Sequence, residues 1–276
     1  MPRAAVLGAP IDHSLSPALH RAAYLELGLA GWSYGPIHCE LEDLERVLDN
    51  VRAEDDWAGL SLTMPLKTAV LPMLDGLDER AVSVGAVNTV IRRADGRLDG
   101  FNTDIAGARF ALASLDIAAL PVEVVVIGGG GSARAVVAAL SEGGVARVRV
   151  VMRDPSRGTL LRAIGDTLGV QVTLHRWSSL ADEVAGAALV VSTVPAGSRL
   201  DLGPWPQRAA LFDLTYDPWP TPLVSLASSV GAPTVGGMEM LAAQAALQVE
   251  YMTGHPIAVE VLMAAGAAAL AARAPE

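Results

Sequence analysis

Apolar residues follow two different spacings along the chain, and these spacings alternate. Short segments over 3–8, 57–62 and 88–93 predict strands, whereas 41–53 carries leucines and a valine at every third or fourth position, as a helix does. Ser16 and Pro17 are typical of a helix N-cap and first helical position. The first part of the chain therefore alternates between strand and helix.

The second part repeats this alternation more regularly. Predicted strands at 122–128, 147–152, 171–177, 188–195 and 209–216 are separated by helical segments. Apolar strands of this kind are buried on both faces, as in a parallel sheet covered by crossover helices. We predict an α/β protein with two α/β domains flanking a cleft, the C-terminal one a Rossmann-type doubly wound parallel sheet. Two final helices, at 238–253 and 256–272, are expected to return to the first domain.

Composition and charge exclude several classes of function. With 20 basic and 30 acidic residues the net charge is -10, and no basic cluster exceeds Arg92 beside Arg93, so we expect no nucleic-acid binding. The apolar run at 261–272 is too short to span a bilayer, and the N-terminus lacks the pattern of a secretory signal. The single cysteine, Cys39, excludes an internal disulfide and suits a reducing compartment. We expect a cytoplasmic protein without membrane contact.

A glycine-rich turn at 128–133 follows one predicted strand and opens a helix. Gly128 would permit the tight turn, Gly130 would let the backbone approach a pyrophosphate, and Ala133 would keep the helix close to the strand. The helix start, with Gly131 and Ser132, would face the phosphates. Strand, turn and helix in this order predict a dinucleotide site, with a merely tight turn as the alternative.

The next predicted strand ends where the adenosine ribose of a dinucleotide would lie. Arg153 and Arg157 could clamp a 2′-phosphate, whereas Asp154 could accept hydrogen bonds from a free ribose diol. Two guanidiniums against one carboxylate favour NADP, and NAD is the alternative. A charge that favours a solvated helix start is another interpretation of Asp154.

Lys67 is the single lysine of the chain, and the nineteen other cationic positions are all arginine. An ammonium can exchange its proton in suitable surroundings, whereas a guanidinium holds its proton. We interpret Lys67 as a titratable amine with a chemical task. The alternative is chance in a composition rich in arginine.

Polar segments in the first part supply candidates for a substrate site. HSLSP at 13–17 places Ser14 and Ser16 at a helix start, where hydroxyls and free backbone N–H groups can hold a carboxylate. Further polar groups are Thr63 with Lys67, Asn88 and Asp104. This mixture, without a histidine cluster, predicts a small polyhydroxylated acid as substrate and no metal. Helix capping and loop turns are the alternatives for each residue alone.

Together these segments resemble the motifs of the shikimate dehydrogenase family, in the family's order and over nearly the whole chain. They read GAPIDHSLSPALH, SLTMPLK, VGAVNT, FNTD, GGGGSARA, YDPWPTPL and GGMEMLAAQAA. The resemblance implies that the domain of 1–103 plus 238–276 binds substrate and carries catalysis, and that 104–237 binds the dinucleotide.

The resemblance also implies a role for each matching residue. Lys67 and Asp104 would form the catalytic pair, Ser14 and Ser16 would hold the carboxylate, and Thr63, Asn88 and Gln244 would bind ring hydroxyls. Tyr216 would contact the substrate, and Gly237 and Met238 would border the nicotinamide.

The implied function is NADP-dependent, reversible reduction of 3-dehydroshikimate to shikimate in aromatic amino-acid biosynthesis. The chain departs from the family at Ser61, where asparagine is common, and at Met152 and Asp154, where NADP-dependent members commonly have asparagine and threonine. An aspartate there resembles NAD-dependent quinate/shikimate dehydrogenases. That activity, and a non-catalytic ligand-binding regulator of the same fold, are the alternatives. The expected partner is the small-molecule substrate, and a homodimer is left open.

Overall fold

The structure is a computed structural model that describes residues 1–195 and 197–273. Those residues form twelve strands and eleven α-helices. In chain order these are β1 (Arg3–Gly8), α1 (Ser16–Glu26), β2 (Ser33–His38), α2 (Leu44–Ala53), β3 (Trp57–Leu62), α3 (Leu66–Ala69), β4 (Gly76–Leu77), α4 (Glu79–Val84), β5 (Thr89–Arg92), β6 (Leu98–Phe101), α5 (Asp104–Ala113), β7 (Glu123–Ile127), α6 (Gly131–Glu142), β8 (Arg147–Met152), α7 (Thr159–Leu168), β9 (Gln171–Arg176), α8 (Leu180–Ala185), β10 (Leu189–Ser192), β11 (Ala210–Asp213), α9 (Pro222–Ser228), β12 (Thr234–Val235), α10 (Gly237–Thr253) and α11 (Val259–Ala271).

The chain divides into two compact units. Unit 1 comprises Met1–Thr103 and Ala242–Glu276, and unit 2 comprises Asp104–Leu241. The second boundary falls inside α10, which begins at Gly237. Each unit contains one six-stranded sheet.

The sheet of unit 1 is mixed, in the order β2-β1-β3-β5-β6-β4. β1 pairs in parallel with β2 and β3, whereas β5 runs antiparallel to both β3 and β6. The carboxyl ends of β1, β3 and β6 and the start of β5 therefore meet at one edge. We call this the site edge.

Apolar side chains cover both faces of this sheet. One cluster includes Leu7, Leu60 and Leu98, and the other includes Val6 and Tyr24. Burying a side chain of this size stabilises the fold by about 1.5–3 kcal/mol. The loops at the site edge are thus held by a packed sheet.

Unit 2 has a wholly parallel sheet in the order β12-β11-β10-β7-β8-β9. Its first strand, β7, lies between β8 and β10, so the chain winds outward in both directions from that point. Ligands of such sheets bind outside the carboxyl ends of the strands at this switch point. Together the two units confirm the predicted α/β class with a Rossmann-type C-terminal sheet.

Some elements differ from the sequence-based expectations. β2 was not predicted, and α1 begins at Ser16 with Leu15 as its N-cap, so Ser16 does not cap the helix. The segment predicted as one helix from residue 41 opens with a 3₁₀ turn, Leu41–Asp43, before α2. No helix in the described ranges is both long and apolar enough to cross a bilayer.

Candidate active site

The site edge of unit 1 collects most of the polar residues that the sequence singled out. Ser14 and Ser16 follow β1, Thr63 and Lys67 follow β3, and Asn88 directly precedes β5. Because β5 is antiparallel to β3, its start lies beside the end of β3, where Ser61 pairs with Thr89. Sheet topology thus brings together segments that are far apart in sequence.

The loop that carries Ser14 and Ser16 is held from two directions. The Ser16 backbone N–H donates to the Ser14 hydroxyl over 3.3 Å, so this N–H is not one of the free donors expected at the helix start. The Arg273 guanidinium donates to the carbonyls of His13 and Ser14 over 3.0 and 3.2 Å. Ser14 is half-buried and Ser16 is buried.

Behind this loop lies a buried pair of rings that sequence reasoning missed. His20 Nδ1 lies 2.9 Å from the Ser16 carbonyl, which can only accept, so Nδ1 carries the proton. The His20 ring stacks on Tyr34 with centroids 3.8 Å apart. Burial lowers the pKa of His20 to about 4, and burial also raises the pKa of Tyr34 far above its ordinary value. His20 is therefore neutral at pH 7.

Asn88 lies at the centre of a buried cluster with Thr103 and Gln244. Its Oδ1 accepts from the Thr103 backbone N–H over 2.8 Å, and its Nδ2 donates to the Thr103 hydroxyl over 2.9 Å. The contact from Nδ2 to Gln244 Oε1 is longer, 3.3 Å. Asn88 is only 1% exposed. Because the contact to Gln244 is the longest of the three, it is the one that a ligand hydroxyl would replace most easily.

Thr63 and Lys67 lie at the end of β3 and in the short helix α3. The Thr63 side chain packs on Gly8, since a Cβ at Gly8 would lie 2.3 Å from Thr63 Cγ2. The Lys67 carbonyl accepts from the Val87 N–H over 2.8 Å. This bond ties α3 to the segment that carries Asn88, and Lys67 and Thr63 are both half-buried.

In unit 2 the glycine turn joins β7 to α6 at the switch point. Gly128 has φ +107°, which favours glycine, and a Cβ there would lie 2.4 Å from Thr193 Oγ1. At Gly130, by contrast, φ is −84° and an added Cβ would meet no atom within 4 Å. Open space at a helix N-cap suits a close approach by phosphate. Gly131 and Ser132 are half-buried, and Ala133 is buried in the helix.

In the segment after β8, the two arginines and the aspartate have different surroundings. Asp154 accepts from the Ser156 N–H and hydroxyl over 3.1 and 2.6 Å, and the bond from the hydroxyl, followed by that from the N–H, lowers its pKa. Asp154 therefore caps its own turn. Arg153 and Arg157 are exposed, while the Met152 side chain is buried beneath Gly129.

The remaining predicted residues also belong to unit 2. Asp104 is buried at the start of α5, and Tyr216 is half-buried in the loop after β11. Gly237 begins α10, and a Cβ there would lie 1.9 Å from the Leu214 carbonyl oxygen, so only glycine fits. Met238 follows and is half-buried. Across the described ranges, no group of three or more histidine, cysteine, aspartate or glutamate side chains could hold a metal ion.

Comparison with protein families finds two matches. The model described as the shikimate dehydrogenase substrate binding domain matches residues 6–90. The model described as the shikimate 5'-dehydrogenase C-terminal domain matches residues 237–265. The first match includes the site edge from β1 to β5.

Individual proteins match over most of the chain. The NADP(+) shikimate dehydrogenase of Sphingopyxis alaskensis is 37% identical over 259 residues, 92% of each chain. The shikimate 5-dehydrogenase of Thermus thermophilus, solved with NADP(H) and shikimate, is 36% identical, with a TM-score of 0.83 over 98% of this chain and 100% of that one. The quinate dehydrogenase of Corynebacterium glutamicum, solved with NAD, is 30% identical, with a TM-score of 0.88 over 97% of this chain and 99% of that one.

Proposed function

The chain belongs to the shikimate dehydrogenase family, and from this premise we propose that it is an NADP-dependent shikimate dehydrogenase. It would interconvert shikimate and 3-dehydroshikimate in aromatic amino-acid biosynthesis. The observation that carries the proposal is the site edge, where one sheet topology gathers hydroxyl, amide and ammonium side chains from three separate segments. Such a set suits a small acid with several hydroxyls.

We infer that unit 1 is the substrate-binding and catalytic domain and that unit 2 is the dinucleotide-binding domain. In unit 1, Ser14 and Ser16 hold the substrate carboxylate through their hydroxyls. Thr63, Asn88 and Gln244 orient the ring hydroxyls. Positioning of this kind accounts for a large part of the acceleration by such enzymes, because orientation entropy is lost before the reaction.

Lys67 and Asp104 form the catalytic pair. During reduction of the ketone, Lys67 gives a proton to the carbonyl oxygen, and during oxidation it takes the proton back. Asp104 would supply the carboxylate of this pair. Tyr216 contributes a further contact to the substrate.

The residues of unit 2 fit NADP. Bound NADP(H) supplies the hydride chemistry of the reaction. Gly130 has open space in front of it and Gly131 begins α6, so the backbone there can face a pyrophosphate. Arg153 and Arg157 are exposed and would pair with the 2′-phosphate, whereas Asp154 is engaged with Ser156. Gly237 and Met238 would border the nicotinamide of bound NADP(H).

The decisive experiment measures kcat/KM for shikimate and quinate, each with NADP and NAD. We expect the highest value for shikimate with NADP. A preference for NAD, or turnover of quinate, would instead support a quinate/shikimate dehydrogenase, an alternative supported by Asp154 and by the likeness to the quinate dehydrogenase. Binding of shikimate without turnover would support a regulator.

The 2′-phosphate clamp can be tested by replacing Arg153 and Arg157 together with alanine. NADP affinity should fall far more than NAD affinity, because only NADP carries the phosphate that the guanidiniums bind. Arg162→Ala, an exposed arginine of the same unit, is the matched control. Equal losses for the two dinucleotides would contradict the clamp.

A further inference from the structure

A chain of buried hydrogen bonds runs behind the site edge through Tyr34, Ser61, Gln248 and Thr89, none of which was assigned a role above. We propose that this buried hydrogen-bond chain positions the substrate-binding side chain of Asn88, with Gln248 as its central positioning residue. The proposal rests on the proposed function, because Asn88, at one end of the hydrogen-bond chain, is a residue assigned to the substrate.

The hydrogen-bond chain joins four elements of unit 1. The Tyr34 phenol on β2 donates to the Ser61 hydroxyl on β3 over 2.7 Å, and Ser61 donates to Gln248 Oε1 on α10 over 2.8 Å. Gln248 Nε2 lies 3.0 Å from the Thr89 hydroxyl, which lies 2.9 Å from Asn88 Oδ1. The four side chains belong to residues no more than 3% exposed. Polar groups this deeply buried are costly unless each has a partner.

The direction of donation along the chain follows from one fixed acceptor. The Asn88 carbonyl can only accept, so the Gln248 atom 3.3 Å from it is the amide nitrogen, and the Gln248 oxygen faces Ser61. Ser61 therefore donates to Gln248, and its oxygen is left to accept from Tyr34.

The Gln248 amide therefore orients Asn88 through Thr89. Gln248 donates to the Thr89 hydroxyl, and that hydroxyl joins the Thr103 N–H in holding Asn88 Oδ1, which leaves Nδ2 directed at Thr103 and Gln244. Removing the Gln248 amide withdraws the donor from Thr89, so the Thr89 hydroxyl loses its fixed orientation and Asn88 is held less firmly.

The test is Gln248→Met, which keeps the length and burial of the side chain and removes both polar atoms. Steady-state kinetics of shikimate oxidation should give a KM for shikimate about tenfold higher, the loss expected for about one buried hydrogen bond, with a smaller change in kcat. The KM for NADP should stay unchanged. Wild-type turnover in the same assay tests the proposed function separately, so its failure cannot be mistaken for failure of the positioning role.

Val249→Ala is the matched control, because Val249 is the next residue of α10, is fully buried and lies outside the hydrogen-bond chain. It should lower the melting temperature without moving the KM for shikimate. If the wild type is active and Gln248→Met leaves the KM for shikimate unchanged, the proposal is overturned. It is also overturned if Val249→Ala raises the KM for shikimate as much as Gln248→Met does.

Ser61→Ala provides an independent test that removes one hydroxyl and decides the matter if Gln248→Met does not fold. It should raise the KM for shikimate in the same direction. Because Ser61 and Gln248 act in one chain, the double variant should be little worse than Gln248→Met. Fully additive changes, or no change for Ser61→Ala, would overturn the proposal.

Discussion

Lys67 is the residue whose role in catalysis can be tested most directly. If it served only as a positive charge for the substrate, arginine would replace it. For a residue that transfers a proton, arginine should fail almost as badly as alanine, because a guanidinium holds its proton. We expect both Lys67→Arg and Lys67→Ala to lose about 10²-fold or more in kcat, the range seen for general acid–base groups. The measurement is kcat alongside NADP affinity, and near-normal turnover by Lys67→Arg would remove the role.

His20 should make the stability of the fold depend on pH. Its pKa is about 4 in the folded protein, because burial disfavours the charged ring, against 6.5 for an unperturbed histidine. The unfolded chain therefore binds more protons between these values, so the stabilisation is present above pH 6.5 and is lost as the pH falls towards 4. From this residue alone, the free energy of unfolding should decrease by about 2 kcal/mol between pH 7 and pH 5.

Urea denaturation of the wild type and of His20→Leu at both pH values isolates this contribution. The carboxylates are shared by the two proteins, so the difference between their pH dependences belongs to His20. The wild type should lose more stability than the variant on acidification. Parallel loss in the two proteins would contradict a neutral, buried His20.

At the scale of elements, the turn between β7 and α6 contains two glycines that are needed for different physical reasons. Gly128 needs a positive φ, whereas Gly130 has an ordinary φ and open space. Gly130→Ala should thus change the free energy of unfolding by less than about 0.5 kcal/mol. It should nevertheless weaken NADP by about tenfold or more, because the methyl group would occupy the path of the pyrophosphate.

Calorimetric titration with NADP and thermal melting of the same variant check this prediction. Gly186→Ala is the control, since Gly186 also has no atom within 4 Å of an added Cβ but lies at the end of α8. Unchanged NADP affinity in Gly130→Ala would mean that the glycine turn serves only the fold.

The start of α10 gives the opposite prediction. A Cβ at Gly237 would lie 1.9 Å from the Leu214 carbonyl oxygen, and a backbone atom cannot move aside as a flexible side chain can. Gly237→Ala should therefore destabilise the protein by about 1–3 kcal/mol, the usual cost of overpacking. Chemical denaturation measures it. A stable variant with only weakened cofactor binding would assign Gly237 to the ligand alone.

At the scale of the whole molecule, the two compact units predict two separable responses to ligands. NADP should slow hydrogen exchange most at 128–134 and 153–158 in unit 2, because backbone amides of the glycine turn are expected to bind the phosphates. Shikimate should slow exchange most at 14–16, 63–67 and 88 in unit 1. Hydrogen exchange with each ligand alone tests this assignment, and strongest protection by NADP within 14–16 would contradict it.

The sequence alone predicted those elements in which the apolar residues themselves indicate which positions are buried. β1, β3 and β8 have the predicted bounds because most of their residues are apolar and buried. β2 escaped prediction because Ser33–His38 contains Gly35 and Pro36, which a strand tolerates at the edge of a sheet, where β2 lies. Local composition cannot state that a segment is an edge strand.

The sequence also determined the family. Its motifs match those of the family in order over nearly the whole chain, and together they indicate a chemistry that no single motif indicates. The tertiary structure alone decided how the polar groups are paired. It assigned Asp154 to its own turn, and it joined Tyr34, Ser61 and Gln248, which lie on separate elements, in one buried chain. Gln248 follows Gln244 by one helical turn and so shares its face, a spacing that could have indicated it. Periodicity records whether a residue is buried, but hydrogen-bond partners depend on which elements pack together, and that is fixed only when the chain folds.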